Sequence, residues 1–260
     1  MEKKLHLYNS KSDYLNEKDS FTPIYNVSYV IDTDEVLYNY VSGQGDTPIV
    51  FADSEVKRLC VENWGTNGEI TYNQAAAVTD IGGVFGYNTA ITSFNELQYF
   101  TGLTSIGVAA FDDCSNLSSV KIPNSVTIIK ESAFFNCISL KSISMPNGIT
   151  KIENIAFTNC PSLASVTMPN NLTSIGVGVF DGCTSLSSIE IPNNLTSIGG
   201  AAFYNCSSLK TITSYAVSAP TITNSTFTGL PTGGKLFVTS GATGYDVWLT
   251  KLNNWTLRTL

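Results

Sequence analysis

Residues 142–209 read SISMPNGITKIENIAFTNCPSLASVTMPNNLTSIGVGVFDGCTSLSSIEIPNNLTSIGGAAFYNCSSL, and one pattern returns in this stretch every 23 residues. Four residue types share the period. The phenylalanines are Phe111, Phe134, Phe157, Phe180 and Phe203, and the cysteines are Cys114, Cys137, Cys160, Cys183 and Cys206. The leucines are Leu117, Leu140, Leu163, Leu186 and Leu209, and the prolines are Pro123, Pro146, Pro169 and Pro192. Such a period predicts a solenoid, in which neighbouring coils bury a common core.

Each repeat contains two short extended runs. Alternation along the first run sends Val120 and Ile122 inward. The same alternation sends Ser119 and Lys121 outward. After a Pro-Asn turn comes the second run, and a tight turn that carries phenylalanine and cysteine closes the coil. We therefore expect short parallel strands, with the phenylalanines and cysteines stacked in buried columns, here called ladders.

The regions that flank the repeats have different patterns. Val27 to Ile31 and Val36 to Tyr40 are β-rich runs, which predicts a β-hairpin that is too small to be stable alone. Further on, Asp53 or Ser54 begins a helix, and a capping box at Thr71 begins a second one. The expected organisation is an attachment or oligomerisation arm at 1–45, a helix-loop-helix cap at 46–100, repeats at 101–214, and a degenerate repeat with an irregular carboxy-terminal cap at 215–260.

Charge and hydropathy exclude two kinds of partner. The chain has 260 residues, a formal charge of -7 and 13% charged residues, about half the usual share. No basic cluster is longer than Lys3-Lys4, which argues against nucleic acid as a partner. No apolar run is long enough to span a bilayer. The first residues do not form a secretory signal. The compartment stays open: cell surface if the sequence is trimmed, virion or cytoplasm if its start is native.

The sequence lacks the parts of a cofactor site or a catalytic site. The cysteines recur at one repeat position, as small buried apolar residues do, and His6 is the single histidine. A zinc site and a nucleophile with a histidine base are therefore disfavoured. Residues 63–71 resemble an EF-hand loop, but the calcium-ligand positions hold no charged residue and are occupied by Asn63, Gly65, Asn67 and Gln74. We expect no enzyme, no cofactor and no metal, and the sequence does not settle whether this loop keeps some calcium affinity.

The outward row of strand residues is the best binding candidate. In solenoids the strands line a concave surface that commonly holds the ligand. The side chains of this row are short and nearly uncharged, and none is aromatic. Serine and threonine also suit a strand surface that only faces water, so the row has an explanation without a ligand. Its members are Ser119, Lys121, Ser142, Ser144, Ser165, Thr167, Ser188, Glu190, Thr211 and Thr213.

The repeat pattern FxxCxxLxxIxIPxxxTxIxxxAF resembles the BspA-like class of leucine-rich repeats, found in surface proteins of treponemes and gut Bacteroidetes. The resemblance covers roughly residues 100–240, and residues 53–110 look like the helical cap that precedes such repeats in Bacteroidetes proteins. It implies a right-handed, curved solenoid with a parallel sheet and a role in adhesion. The hairpin pattern SYVxDxDxVxYN resembles segments of Bacteroidetes proteins and their phages.

Two hypotheses follow. The leading one is a non-catalytic recognition or adhesion protein that presents the solenoid to a protein or a glycan. The alternative is a structural component of an assembly, such as a phage virion, that docks or self-associates through residues 1–45.

Overall fold

The computed structural model describes residues 28–32, 35–40 and 47–260. Strands β1 (Ser28–Asp32) and β2 (Glu35–Tyr40) pair antiparallel, with Ser28 opposite Tyr40, so the expected hairpin is present. His6 and the rest of residues 1–27 lie outside the described residues. None of the helices in the described part of the chain is long and apolar enough to cross a membrane.

Two columns of parallel strands build the body of the protein. In each column the strands of successive coils pair or lie side by side. The first column contains β3 (Ser93–Phe94), β5 (Ser119–Val120), β7 (Ser142–Ser144), β9 (Ser165–Thr167), β11 (Ser188–Ile191), β13 (Thr211–Ser214), β14 (Lys235–Val238) and β15 (Thr256–Thr259). The second column contains β4 (Ser105–Ile106), β6 (Ile128–Ile129), β8 (Lys151–Ile152), β10 (Ser174–Ile175) and β12 (Ser197–Ile198). The prediction of a parallel-strand solenoid is confirmed.

The phenylalanine ladder runs through the centre of the solenoid. The Phe134 and Phe157 ring centroids are 5.1 Å apart and their planes differ by 4°, and the other repeat pairs stack similarly. Phe85 extends the ladder at one end and Phe227 at the other. Each ladder ring is buried, and the spacing lies in the range at which stacked aromatic rings attract each other.

The cysteine ladder lies beside the rings and is also buried. Each thiol donates a hydrogen bond to the carbonyl oxygen of a phenylalanine in the preceding turn, 29 residues earlier for Cys114 and 26 residues earlier for the others, for example Cys160 Sγ to Phe134 O at 3.2 Å. Larger apolar side chains would lack this donor, so cysteine combines a small volume with a partner for a buried carbonyl.

The tight turns use residues that tolerate a left-handed backbone. Asp113, Asn136, Asn159 and Asn205 have φ between 53° and 57°, and Gly182 occupies the same repeat position at φ 72°. Short polar residues and glycine adopt this conformation at the lowest cost. The Asn159 amide donates to Asn136 Oδ1 at 2.6 Å, so the turn side chains also bond from coil to coil.

Two helices precede the strand columns, and Trp64 at the end of the first one packs on Phe85 and Phe100. Helix α1 (Ser54–Trp64) begins after its N-cap Asp53, and α2 (Tyr72–Ala77) begins with the expected capping box between Thr71 and Gln74. A 3₁₀ helix (Asn95–Tyr99) leads into the first complete coil.

The carboxy-terminal segment continues the solenoid further than the sequence pattern suggests. Strands β14 and β15 extend the first column in parallel register. Helix α3 (Tyr245–Leu249) lies between them, and its Trp248 packs on Phe227 with centroids 5.1 Å apart. The Trp248 indole N–H donates to the Pro220 carbonyl oxygen at 2.9 Å. This tryptophan ends the aromatic column, while the strand beyond it continues the sheet.

Candidate binding face

The ten outward residues predicted from the sequence lie along one side of the first strand column. Ser144 faces Thr167 across β7 and β9, and Glu190 faces Thr213 across β11 and β13. The residues between them on the strands, such as Ile143 and Ile189, are buried. Alternation therefore separates an outward surface from the core. We call the outward residues of β5, β7, β9, β11, β13, β14 and β15 the sheet face.

Strands β14 and β15 lengthen this face beyond the predicted row. Their register places Phe237 beside Thr213 and Arg258 beside Phe237. Tyr215, directly after β13, is 42% exposed. The predicted row itself holds no aromatic side chain and two charged ones, whereas the strands that extend the face add Phe237, Lys235 and Arg258. The β-rich run KLFV at 235–238 is a sequence signal for β14, whereas nothing in the repeat pattern indicates that TLRT at 256–259 is a strand.

Charge is distributed unevenly over the molecule. One exposed carboxylate, Glu190, lies among the described residues of the sheet face. Five exposed cations lie on the strands of the face or directly before or after them, namely Lys121, Lys141, Lys210, Lys235 and Arg258. The chain as a whole carries a charge of -7. The sheet face is therefore cationic in a protein whose remaining surface is acidic.

A groove crosses the sheet face beside Glu190. It has a volume of about 310 Å³, with Val166 and Ile189 in its lining. Thr167, Glu190 and Tyr215 also line it, which brings a hydroxyl, a carboxylate and an aromatic ring together. A second groove of about 230 Å³ follows the second strand column, where Lys151 and Glu153 pair at 3.0 Å.

The EF-hand-like loop is held together by its own hydrogen bonds. Thr66 and Glu69 exchange backbone hydrogen bonds, and Asn67 and Gly68 supply the positive φ values of the turn. The Asn63 amide donates to the Leu59 carbonyl oxygen at 2.8 Å. Among the described residues, no group of three histidine, cysteine, aspartate or glutamate side chains could hold a metal ion.

The thiols are poor nucleophiles in this environment. Burial raises the pKa of Cys60 well above its ordinary value, and the nearby Glu96 carboxylate raises it further. Burial likewise raises the pKa of Cys114 to about 12. A thiolate is the reactive species, so these cysteines are almost entirely protonated at neutral pH.

The comparisons with known proteins agree on the repeat type. Residues 83–232 match the BspA type leucine-rich repeat region in six copies. No curated protein sequence matches the chain.

Solved structures of leucine-rich repeat proteins are similar to the chain. The pneumococcal vaccine antigen PcpA is 25% identical with a TM-score of 0.55, and the match covers 65% of this chain and 42% of PcpA. The chain thus spans less than half of PcpA. The T. pallidum protein TpLRR is 24% identical with a TM-score of 0.43, covering 61% of this chain and 81% of TpLRR. A protein from Bacteroides ovatus is 19% identical with a TM-score of 0.43, covering 93% and 77%.

Proposed function

The chain belongs to the BspA-type leucine-rich repeat family, and we propose that it is a non-catalytic recognition protein whose sheet face binds a protein or a glycan. The observation that carries this proposal is the continuity of the face. Outward side chains of neighbouring strands lie in register, over strands whose inward residues are buried in the core.

The character of the face supports binding. Serine and threonine hydroxyls both donate and accept hydrogen bonds, so they suit a polar ligand. The strands that carry them are fixed by the ladders beneath, which keeps the ordering cost of binding low. The similarity to a vaccine antigen adds support for a recognition role without identifying the ligand.

Blocking the face tests the proposal. A double variant, Ser165→Arg with Thr167→Arg, places two long side chains in the middle of the face, where both native residues are exposed. Val177→Arg is the matched control, because Val177 is 50% exposed and lies outside the first strand column. Each protein is applied to arrays of defined glycans and of purified proteins, after its fold is checked by thermal unfolding.

The expected result is at least one array ligand that binds the wild type and the Val177→Arg control but not the double variant. Ligands that bind all three proteins equally would contradict recognition by the sheet face. So would an absence of any ligand from both arrays.

A further inference from the structure

We propose that the carboxy-terminal end of the sheet face binds a sulfated glycan. This inference rests on the proposed function and names the chemical class of its ligand. The residues concerned lie on and beside strands β13, β14 and β15.

Three cations lie next to one another at this end. The Lys235 backbone N–H donates to the Lys210 carbonyl oxygen at 2.8 Å, so Lys210, directly before β13, lies beside the first residue of β14. Arg258 is on the following strand, beside Phe237. Neighbouring strands are about 4.8 Å apart, so the three charged groups can reach one ligand. Within the described part of the chain, no ion pair involves Lys210, Lys235 or Arg258.

The groups between the cations suit a sugar. Thr211 and Thr256 flank Lys235 in register, and their hydroxyls can bond to sugar hydroxyl or sulfate oxygens. Phe237 is half-buried in the same face, and Tyr215, directly after β13, is exposed. An aromatic ring offers a flat apolar surface on which the C–H side of a sugar ring can pack.

Charge limits where such a ligand can lie. Glu190 is two strands from Phe237 and repels anions, so it confines the site to the carboxy-terminal strands. Protein interfaces are depleted in lysine, whereas two of these three cations are lysines. A sulfated sugar chain therefore matches the face better than an acidic protein segment does.

Heparin is the probe, measured by isothermal titration calorimetry at low and physiological salt. The test variant is Lys210→Gln, Lys235→Gln and Arg258→Gln in one chain. The matched control is Lys57→Gln, Lys130→Gln and Lys151→Gln, which removes the same charge from elsewhere. We expect the wild type and the control to bind alike and the test variant to bind at least about tenfold more weakly. Salt should weaken binding, because it screens exposed charges.

Neutral dextran and poly-glutamate are the comparison ligands, and we expect neither to approach the affinity of heparin. Equal losses in the test and control variants would overturn the proposal, as would poly-glutamate binding as tight as heparin or no heparin binding at all. The two proposals can be told apart. If heparin does not bind while the Ser165→Arg, Thr167→Arg variant still loses an array ligand, the sulfated-glycan proposal is wrong and recognition by the sheet face remains supported.

Discussion

Phe157 shows what one repeat residue contributes to the fold. Its ring centroid is 5.1 Å from that of Phe134 and 5.6 Å from that of Phe180, and its side chain is buried. Ser144 occupies the opposite kind of position, exposed on the sheet face. The same repeat thus contains one residue that the core requires and one that stability hardly needs.

Phe157→Ala should therefore lower the free energy of unfolding by about 3–5 kcal/mol, because the ladder rings cannot collapse into the cavity left behind. Ser144→Ala should change it by less than about 0.5 kcal/mol. Urea unfolding of both variants measures the difference. Equal losses of stability would mean that the assignment of inside and outside is wrong.

Asp53 joins the first helix to the solenoid. Its Oδ1 accepts hydrogen bonds from the backbone N–H groups of Glu55 and Val56, and its Oδ2 accepts from the Thr92 backbone N–H at 2.7 Å. Burial raises the pKa of this carboxyl, but the hydrogen bonds from Thr92, Val56 and Ser93 outweigh burial and hold it below the ordinary 3.8.

Asp53→Ala should lower the free energy of unfolding by about 2 kcal/mol, since it removes the helix cap and leaves buried N–H groups without a partner. Asp246→Ala, at an exposed position in helix α3, is the control. Because the pKa of Asp53 is depressed in the fold, its contribution is present at neutral pH and declines as the pH falls below about 3.8. A variant as stable as the wild type at pH 7 would contradict this role.

At the scale of the elements, the cysteine ladder should make stability depend on alkaline pH. Burial raises the pKa of all five ladder thiols above the ordinary 9.0. As the pH rises, the thiols of the unfolded chain therefore lose their protons before those of the folded chain do. The contribution of the ladder to the free energy of unfolding is complete below pH 9 and is lost as the pH rises above it.

Urea unfolding at pH 7, 9 and 10 measures this decline in the free energy of unfolding. Cys160→Ala removes one of the five ladder thiols, so the decline should be smaller by the contribution of that thiol. Alkylation by iodoacetamide at pH 8 is an independent check: it should be slow in the native protein and fast in urea. Native thiols that react as fast as unfolded ones would contradict the buried ladder.

Elements that keep the 23-residue period could be predicted from the sequence, and those that break it could not. Alternation together with the period placed Ser144, Thr167 and the ring ladder correctly. Lys235 pairs with Thr211 after 24 residues, and Thr256 pairs with Lys235 after 21. Once the spacing changes, the register is fixed by backbone hydrogen bonds to the preceding coil, which side-chain spacing does not reveal. For this reason the sequence pattern does not predict the cationic and aromatic end of the sheet face.

At the scale of the whole molecule, the amino-terminal arm bears on the alternative role in an assembly. A two-stranded hairpin is marginal in water without something to pack on. We therefore expect the full chain to form oligomers that disappear when residues 1–45 are removed, as measured by size-exclusion chromatography with light scattering. Two monomers of the expected masses would argue against attachment through the arm.

The position of the sheet face, the charge on it and the ladders beneath it all depend on the register of the parallel strands. Paired cysteine substitution tests it directly: Ser144→Cys with Thr167→Cys joins two residues that face each other on adjacent strands, within reach of a disulfide. Ser144→Cys with Thr213→Cys is the control, because its positions are three strands apart. Mild oxidation followed by peptide mass mapping should show a 144–167 disulfide and no 144–213 disulfide. Equal cross-linking of both pairs, or of neither, would contradict the in-register solenoid.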